Sequence, residues 1–358
     1  MGRVMKSLLL VWLLFGSAGA LSAQPVQSGT SPVFATVQTT LHSKDGHIRQ
    51  FAFDGDPTTY FASKENPGVA DHFTLVLDEP VALKSIKVTT GRAGNAGHLE
   101  AGTLEGSDDG KSFQPLAKFL GGKAAAKPDG KRLLAVRIKP TTEMTHPLVI
   151  REFAIESDPP VTPFRYPVEF VLDTTDAPEM REWCEKVARI CERQYFMINE
   201  ELRSDGFKPS TLVYLKLSSN YDGVAAASGD RITGSVKFFK AHPSDVGAMV
   251  HETVHVVQSY PRGNKPGWLV EGIADYIRFF KYEPGKLRRL TPERARYDGS
   301  YKTTAAFLEF VSKDYDKDIV RKLNVAMREG KYTEGLFKRF TGKTLPELGE
   351  AWKESLRR

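Results

Sequence analysis

The sequence predicts a two-domain chain: an all-β sandwich of antiparallel strands, then an α+β domain that is mainly helical with a small sheet. Three observations carry that prediction. Before Asp158, short runs alternate apolar and polar residues between Gly, Pro and Asp punctuation, the period-two pattern of half-buried strands. After Pro163 the apolar residues recur mostly at helical spacing. Between the two, Asp158-Pro159-Pro160-Val161-Thr162-Pro163 breaks both patterns and reads as a linker over 158–163.

The chain opens with positive charge in Met1-Gly2-Arg3-Val4-Met5-Lys6, continues through the apolar stretch Ser7 to Phe15, and ends this segment in small residues up to Ala23. That is the make-up of a signal peptide over 1–23. Cleavage is expected near Ala20 or Ala23, where no cysteine invites lipid attachment. Later apolar runs fall short of the roughly twenty residues a spanning helix needs. The expectation is a soluble protein, secreted or periplasmic, with no membrane span.

In the sandwich, predicted for 33–157, His72 to Leu77 and Lys84 to Thr89 read as separate strands. The basic stretch Lys123 to Arg132, with its proline and glycine, reads as a loop. In the second domain, 164–358, an amphipathic helix is predicted from Ala177 to about Leu202. It carries both cysteines of the chain, Cys184 and Cys191. Seven helical residues rise roughly 10 Å, too far for a disulfide, so both are expected to be packed apolar groups. Thr211 to Leu217 and Arg231 to Phe238 read as strands, the second a candidate sheet edge. From Thr303 onward the spacing of Ala305, Phe307, Leu308 and Val311 is helical.

The chemistry concentrates between these elements. In His251-Glu252-Thr253-Val254-His255 the two histidines stand one helical turn apart, so both rings can aim at one metal ion. Glu252 projects about 100° round the helix, placed to reach a water on that ion as general base. A catalytic zinc normally takes three protein ligands and keeps one position open. Glu271 is the candidate third ligand, since the turn formers from Ser259 to Gly267 end one helix and start another. Asp275, one turn after Glu271, is placed to accept the outer N–H of a ligand histidine, and is the alternative third ligand. The competing reading is a buried helix whose histidines satisfy carbonyl groups.

From about Pro163 onward the chain resembles the basic secretory protein family, regarded as zinc-dependent peptidases. The likeness rests on Val250 to Gln258, on Trp268-Leu269-Val270-Glu271-Gly272-Ile273-Ala274-Asp275-Tyr276 and on Gly299 to Leu308. The resemblance implies a zincin-like, gluzincin-like domain with His251, His255 and Glu271 as zinc ligands and Glu252 as the catalytic residue. The gap from His255 to Glu271 is shorter than in thermolysin-type gluzincins. In the matching Gly-x-Tyr segment Tyr301 is the candidate donor to a developing oxyanion, with Tyr297 behind it. Both have an ordinary alternative as core tyrosines. Zinc is inferred from the ligand types, which other first-row metals also accept.

The N-terminal half resembles a factor 5/8 type C, or discoidin-like, domain. The segments that carry this are Ala52 to Phe61, Phe73 to Leu77 and Leu104 to Phe113. The resemblance implies a jelly-roll sandwich, carbohydrate binding, and a structural calcium in the loop holding Asp54, Asp56 and Thr59, whose oxygens suit a hard cation. An acidic turn bonded to its own backbone is the alternative. Tyr60, Phe61, His72 and Arg92 are positional candidates for a sugar contact.

The formal charge is +6 for the whole chain, a mild excess. A basic concentration at Lys281, Lys286, Arg288, Arg289, Arg294 and Arg296 reads mainly as a solvated face, or as an attraction for acidic peptides or anionic glycans. With no nucleic-acid motif beside it, that class of partner is not expected. The sequence therefore points to a secreted zinc endopeptidase, with a glycopeptidase as its narrower variant, acting on protein or glycoprotein substrates and targeted by a glycan-binding module. The rival is a non-catalytic glycan or cell-surface binding protein with a zincin-like domain.

Overall fold

The computed structural model describes residues 32–357, apart from Asn95, Asn264 and Arg289. The signal peptide expected at 1–23 lies outside the described residues. The N-terminal half is built from β1 (Ala35–Thr39), β2 (Phe61–Ala62), β3 (Phe73–Thr90), β4 (Gly102–Ser107), β5 (Gln114–Lys118), β6 (Lys123–Ala126), β7 (Arg132–Pro140) and β8 (Val149–Asp158). All their pairings are antiparallel, in the order β2-β8-β3-β7-β4-β5, with β1 and β6 also on β3.

The two strands expected at His72 to Leu77 and Lys84 to Thr89 are the two halves of β3, an 18-residue strand. The register against β7 shifts between Val76 and Val81, around Pro80, where a bulge tolerates a residue without an N–H. The first half pairs with β1 and β7, the second with β6 and β8, so one strand serves both layers. Phe61, Phe73 and Phe153 meet between the layers at ring distances of 5.0 and 5.9 Å. Each such buried side chain contributes about 1.5–3 kcal/mol. The stretch expected as a loop from Lys123 is corrected at both ends: Lys123–Ala126 is β6, and Arg132 opens β7. Three alanines carried too little alternation to show it.

The second half has a four-stranded sheet, ordered β11-β12-β10-β9, from β9 (Glu169–Asp173), β10 (Leu212–Ser218), β11 (Ala225–Ser228) and β12 (Arg231–Ser235). β9, β10 and β12 run parallel; β11 is antiparallel and lies at the edge. The strand expected to reach Phe238 stops at Ser235, whose hydroxyl accepts the N–H of Phe238 and caps a short helix. The edge is therefore β11, not β12.

Eight α-helices complete the description: α1 (Arg181–Glu201), α2 (Val236–Ala241), α3 (Gly247–Gln258), α4 (Gly267–Tyr276), α5 (Tyr301–Asp314), α6 (Ile319–Arg328), α7 (Gly335–Thr341) and α8 (Leu345–Arg357). α1 buries Cys184, Val187, Ala188, Cys191, Tyr195 and Ile198 on one face. Both thiols are free and buried, and burial pushes each up to about 12. α3 is buried nearly all round, as a central helix must be. α4 continues into a π-helical turn, Ile277–Tyr282. Among the described residues no helix is long and apolar enough to cross a membrane.

The described residues from Pro32 onward form one compact unit, and the seam between sandwich and helical half explains why. Val33 bridges Val161, and Phe34 packs on Phe196 at 5.0 Å. Ser43 donates to Glu169 Oε2 at 2.6 Å, and Arg49 reaches Glu192 at 3.1 Å. The segment 158–163 is held against the sandwich, with the Thr162 N–H donating to Val33 O at 2.8 Å.

Candidate metal centre

α3 and α4 make the site. His251 and His255 project from one face of α3, their rings 4.7 Å apart. Ser259 ends α3 in a left-handed conformation, φ +43°, and the chain turns to α4, which brings Glu271 over both rings. Glu271 Oε2 lies 3.2 Å from His251 Nε2 and 3.3 Å from His255 Nε2, and the two Nε2 atoms are 3.0 Å apart. Among the described residues this trio is the one set of three His, Cys, Asp or Glu whose donor atoms converge within 4.8 Å.

Asp275 stands behind the trio. Its Oδ1 accepts the Nδ1–H of His251 at 2.7 Å, so Nε2 is the ring nitrogen that faces Glu271. Two imidazoles and three carboxylates, Glu252, Glu271 and Asp275, then surround a small volume with negative charge. That donor set fits a divalent ion of zinc type. The same field governs titration. Burial alone lowers His251, but its hydrogen bonds to Asp275 and Glu271 prevail and push it up to about 9. Burial likewise acts to raise Glu271, and its contacts with the two histidines prevail, holding it at about 2.

Glu252 is 8% exposed and lines the same cleft as the trio. Burial, ahead of the pull of His251 and His255, raises its carboxyl above the usual range. The candidate base shares a cleft with the β11 sheet edge. Above them opens a cleft of about 800 Å³ lined by Ala225–Ala227, Glu252, Glu271 and the turn Gly299–Thr303. Tyr301 is 54% exposed on that turn, its ring stacked 6.1 Å from His251's. Tyr297 is turned away, packed between Trp268 and Phe307. Gly272 sets this arrangement, because a Cβ there would lie 2.1 Å from Thr304 Cγ2. Its absence lets α5 close on α4.

In the sandwich, Asp54, Asp56 and Thr59 bond to one another. The Thr59 hydroxyl lies 2.8 Å from Asp54 Oδ2, and Asp56 Oδ1 accepts the Thr58 N–H at 2.9 Å. Facing them is Glu152, whose Oε2 is buried without a hydrogen-bond partner. Burial, then the neighbouring Asp54 charge, pushes its carboxyl up to about 8. Sequence reasoning missed Glu152 because it sits inside the strand β8, ninety-odd residues from the loop. Of the sugar-contact candidates, Tyr60 and Arg92 come together, the guanidinium 5.2 Å from the ring. His47, also missed, stacks on Tyr60 at 4.1 Å. Phe61 is core, and His72 bonds Thr74 elsewhere.

A sequence model of the family described as peptidase of plants and bacteria matches residues 169–354, just over half of the chain. The chain belongs to this family. In this peptidase the matched region begins at β9 and contains the whole His251, His255 and Glu271 constellation. No protein of curated description matches it.

Solved structures similar to the peptidase align with about a third of it. One is the first family-32 carbohydrate-binding module of a family 31 glycoside hydrolase from Clostridium perfringens, 14% identical, covering 34% of this chain and 92% of that one, with a TM-score of 0.30. A second family-32 module from the same species, in complex with galactose, is 14% identical over 34% and 92%, TM-score 0.29. A chitosan-binding module from a Paenibacillus chitosanase/glucanase is 19% identical over 34% and 92%, TM-score 0.29.

Three of the six residues of the basic run pair with carboxylates. Lys281 pairs with Glu201, Lys286 with Glu283 and Arg296 with Asp298. Arg289 lies outside the described residues.

Proposed function

We propose that this peptidase is an exported, zinc-dependent endopeptidase that hydrolyses peptide bonds in proteins or glycoproteins, and that its sandwich, 33–157, binds glycan and targets the catalytic part, 164–358. The observation that carries the reading is the meeting of three metal-binding acceptors beside a buried carboxylate at a sheet edge. His251, His255 and Glu271 would hold the zinc, which when bound would supply a Lewis acid for a peptide carbonyl and for a water.

The chain's own groups do the rest. β11 pairs with β12 on one side, so its other side offers backbone groups to an extended substrate. Glu252, buried beside the sheet edge, takes the proton of the attacking water and returns it to the departing amine. Tyr301, which lines the same cleft, donates the hydrogen bond of its O–H to the oxyanion. Asp275 keeps His251 in the tautomer that presents Nε2. In the sandwich, Asp54, Asp56 and Thr59, joined by Glu152, offer hard oxygens to a structural calcium.

The test is cleavage of a mixed pool of proteins and glycoproteins, native and deglycosylated, by the protein and by Glu252→Ala. Cleavage by the unaltered protein alone supports the reading. A loss of cleavage on deglycosylation marks the substrate as glycosylated; no cleavage in any sample removes the catalytic claim.

A further inference from the structure

His251 and His255 differ in what stands behind them. The Nδ1 of His251 meets a carboxylate, whereas His255 Nδ1 lies 2.7 Å from the amide oxygen of Gln258. Gln258 is 1% exposed, the last residue of α3, and its Nε2 donates to Val270 O at 2.9 Å. These two contacts fix the amide. A backbone carbonyl only accepts, so the NH2 must face Val270, and Oε1 must face the ring. Oε1 also only accepts, so Nδ1 of His255 carries the proton and Nε2 keeps its lone pair. That lone pair points at His251 Nε2 and Glu271 Oε2, 3.0 and 3.3 Å away.

We infer that Gln258 is a positioning residue of the metal centre: it sets the tautomer of His255 and, through Val270, the spacing between His255 on α3 and Glu271 on α4. The second function follows from sequence. Val270 immediately precedes Glu271, so one amide ties the second histidine ligand to the backbone beside the third ligand. This link lets a third ligand only sixteen residues after His255 reach the same point as both rings. A neutral amide does this without adding a fourth carboxylate to Glu252, Glu271 and Asp275. The charge on the centre stays where a dication can balance most of it.

The inference rests on the zinc reading above, and the experiment separates the two. Zinc affinity is measured by chelator competition on the full protein, on Gln258→Leu, which keeps the volume and removes both bonds, and on Gln258→Glu, which keeps an acceptor for Nδ1. Circular dichroism and the unfolding midpoint of each metal-free protein report whether the fold persists. Loss of an outer partner of a ligand histidine typically weakens metal binding by about 10–100-fold. That loss is expected in full for Gln258→Leu, with Gln258→Glu, which keeps the acceptor for Nδ1 but cannot donate to Val270 O, weakened by less than tenfold. Unaltered affinity in folded Gln258→Leu overturns the inference. If Gln258→Leu does not fold, folded Gln258→Glu decides: a measurable weakening of less than tenfold supports both roles, unaltered affinity overturns the spacing role, and a loss of tenfold or more overturns the orienting role. A protein that binds no zinc even unaltered removes the zinc reading and this inference together.

Discussion

The metal centre and the acidic loop of the sandwich are both clusters of oxygen and nitrogen acceptors, yet they are built in opposite ways. At the centre, side chains from α3 and α4 converge across elements, and each imidazole has a buried partner behind it. In the loop, Asp54 and Asp56 spend much of their bonding capacity on Thr58, Thr59 and nearby backbone. Only Glu152, from β8, arrives from another element, and its Oε2 has no partner. Convergence from separate elements costs backbone freedom and is found where an ion repays it; local turns form with or without one.

Four changes break or sharpen this contrast. The largest effect is expected from Glu252→Gln, which keeps the shape of α3 but removes the base: kcat should fall by about 10²–10⁴-fold, measured on any substrate found, with the fold intact by circular dichroism. Next, His255→Ala or Glu271→Ala should abolish stoichiometric zinc, while Asp54→Asn leaves zinc content unchanged, by metal analysis. Third, Gly272→Ala forces a methyl into Thr304, and overpacking of this kind costs about 1–3 kcal/mol, read from denaturant unfolding.

The smallest effect concerns pH. Glu152 is held up to about 8 in the folded chain against 4.5 for the free side chain. Between those values the folded state binds the extra proton, so its stabilisation is full below about 4.5 and is lost as pH rises to about 8. With calcium chelated, the unfolding midpoint should fall from pH 5 to pH 9 more steeply for the unaltered protein than for Glu152→Gln. Calcium at pH 9 should raise the first midpoint and not the second.

The motif was legible because its geometry is local: a helix alone places His251, Glu252 and His255. The antiparallel sandwich was legible as well, because alternation survives in strands such as β3 and β7. Gln258 was not, although it stands three residues from a ligand, because its meaning depends on where α4 puts the Val270 carbonyl. β11 is Ala-Ala-Ala-Ser, with no side chain large enough to betray a strand, and its identity as the edge comes from pairing with β12. Glu152 was hidden by distance along the chain. The long β3 was split in the sequence by Pro80, which reads as a terminator when the bulge that tolerates it is out of view.

The most direct test of the central claim is zinc content by mass spectrometry of the purified chain from Gln24 onward, alongside Glu252→Gln and His255→Ala. About one zinc per chain in the first two and none in the third, as an open three-ligand site requires, is the predicted result. Equal zinc in all three, or none in any after zinc is supplied, contradicts it.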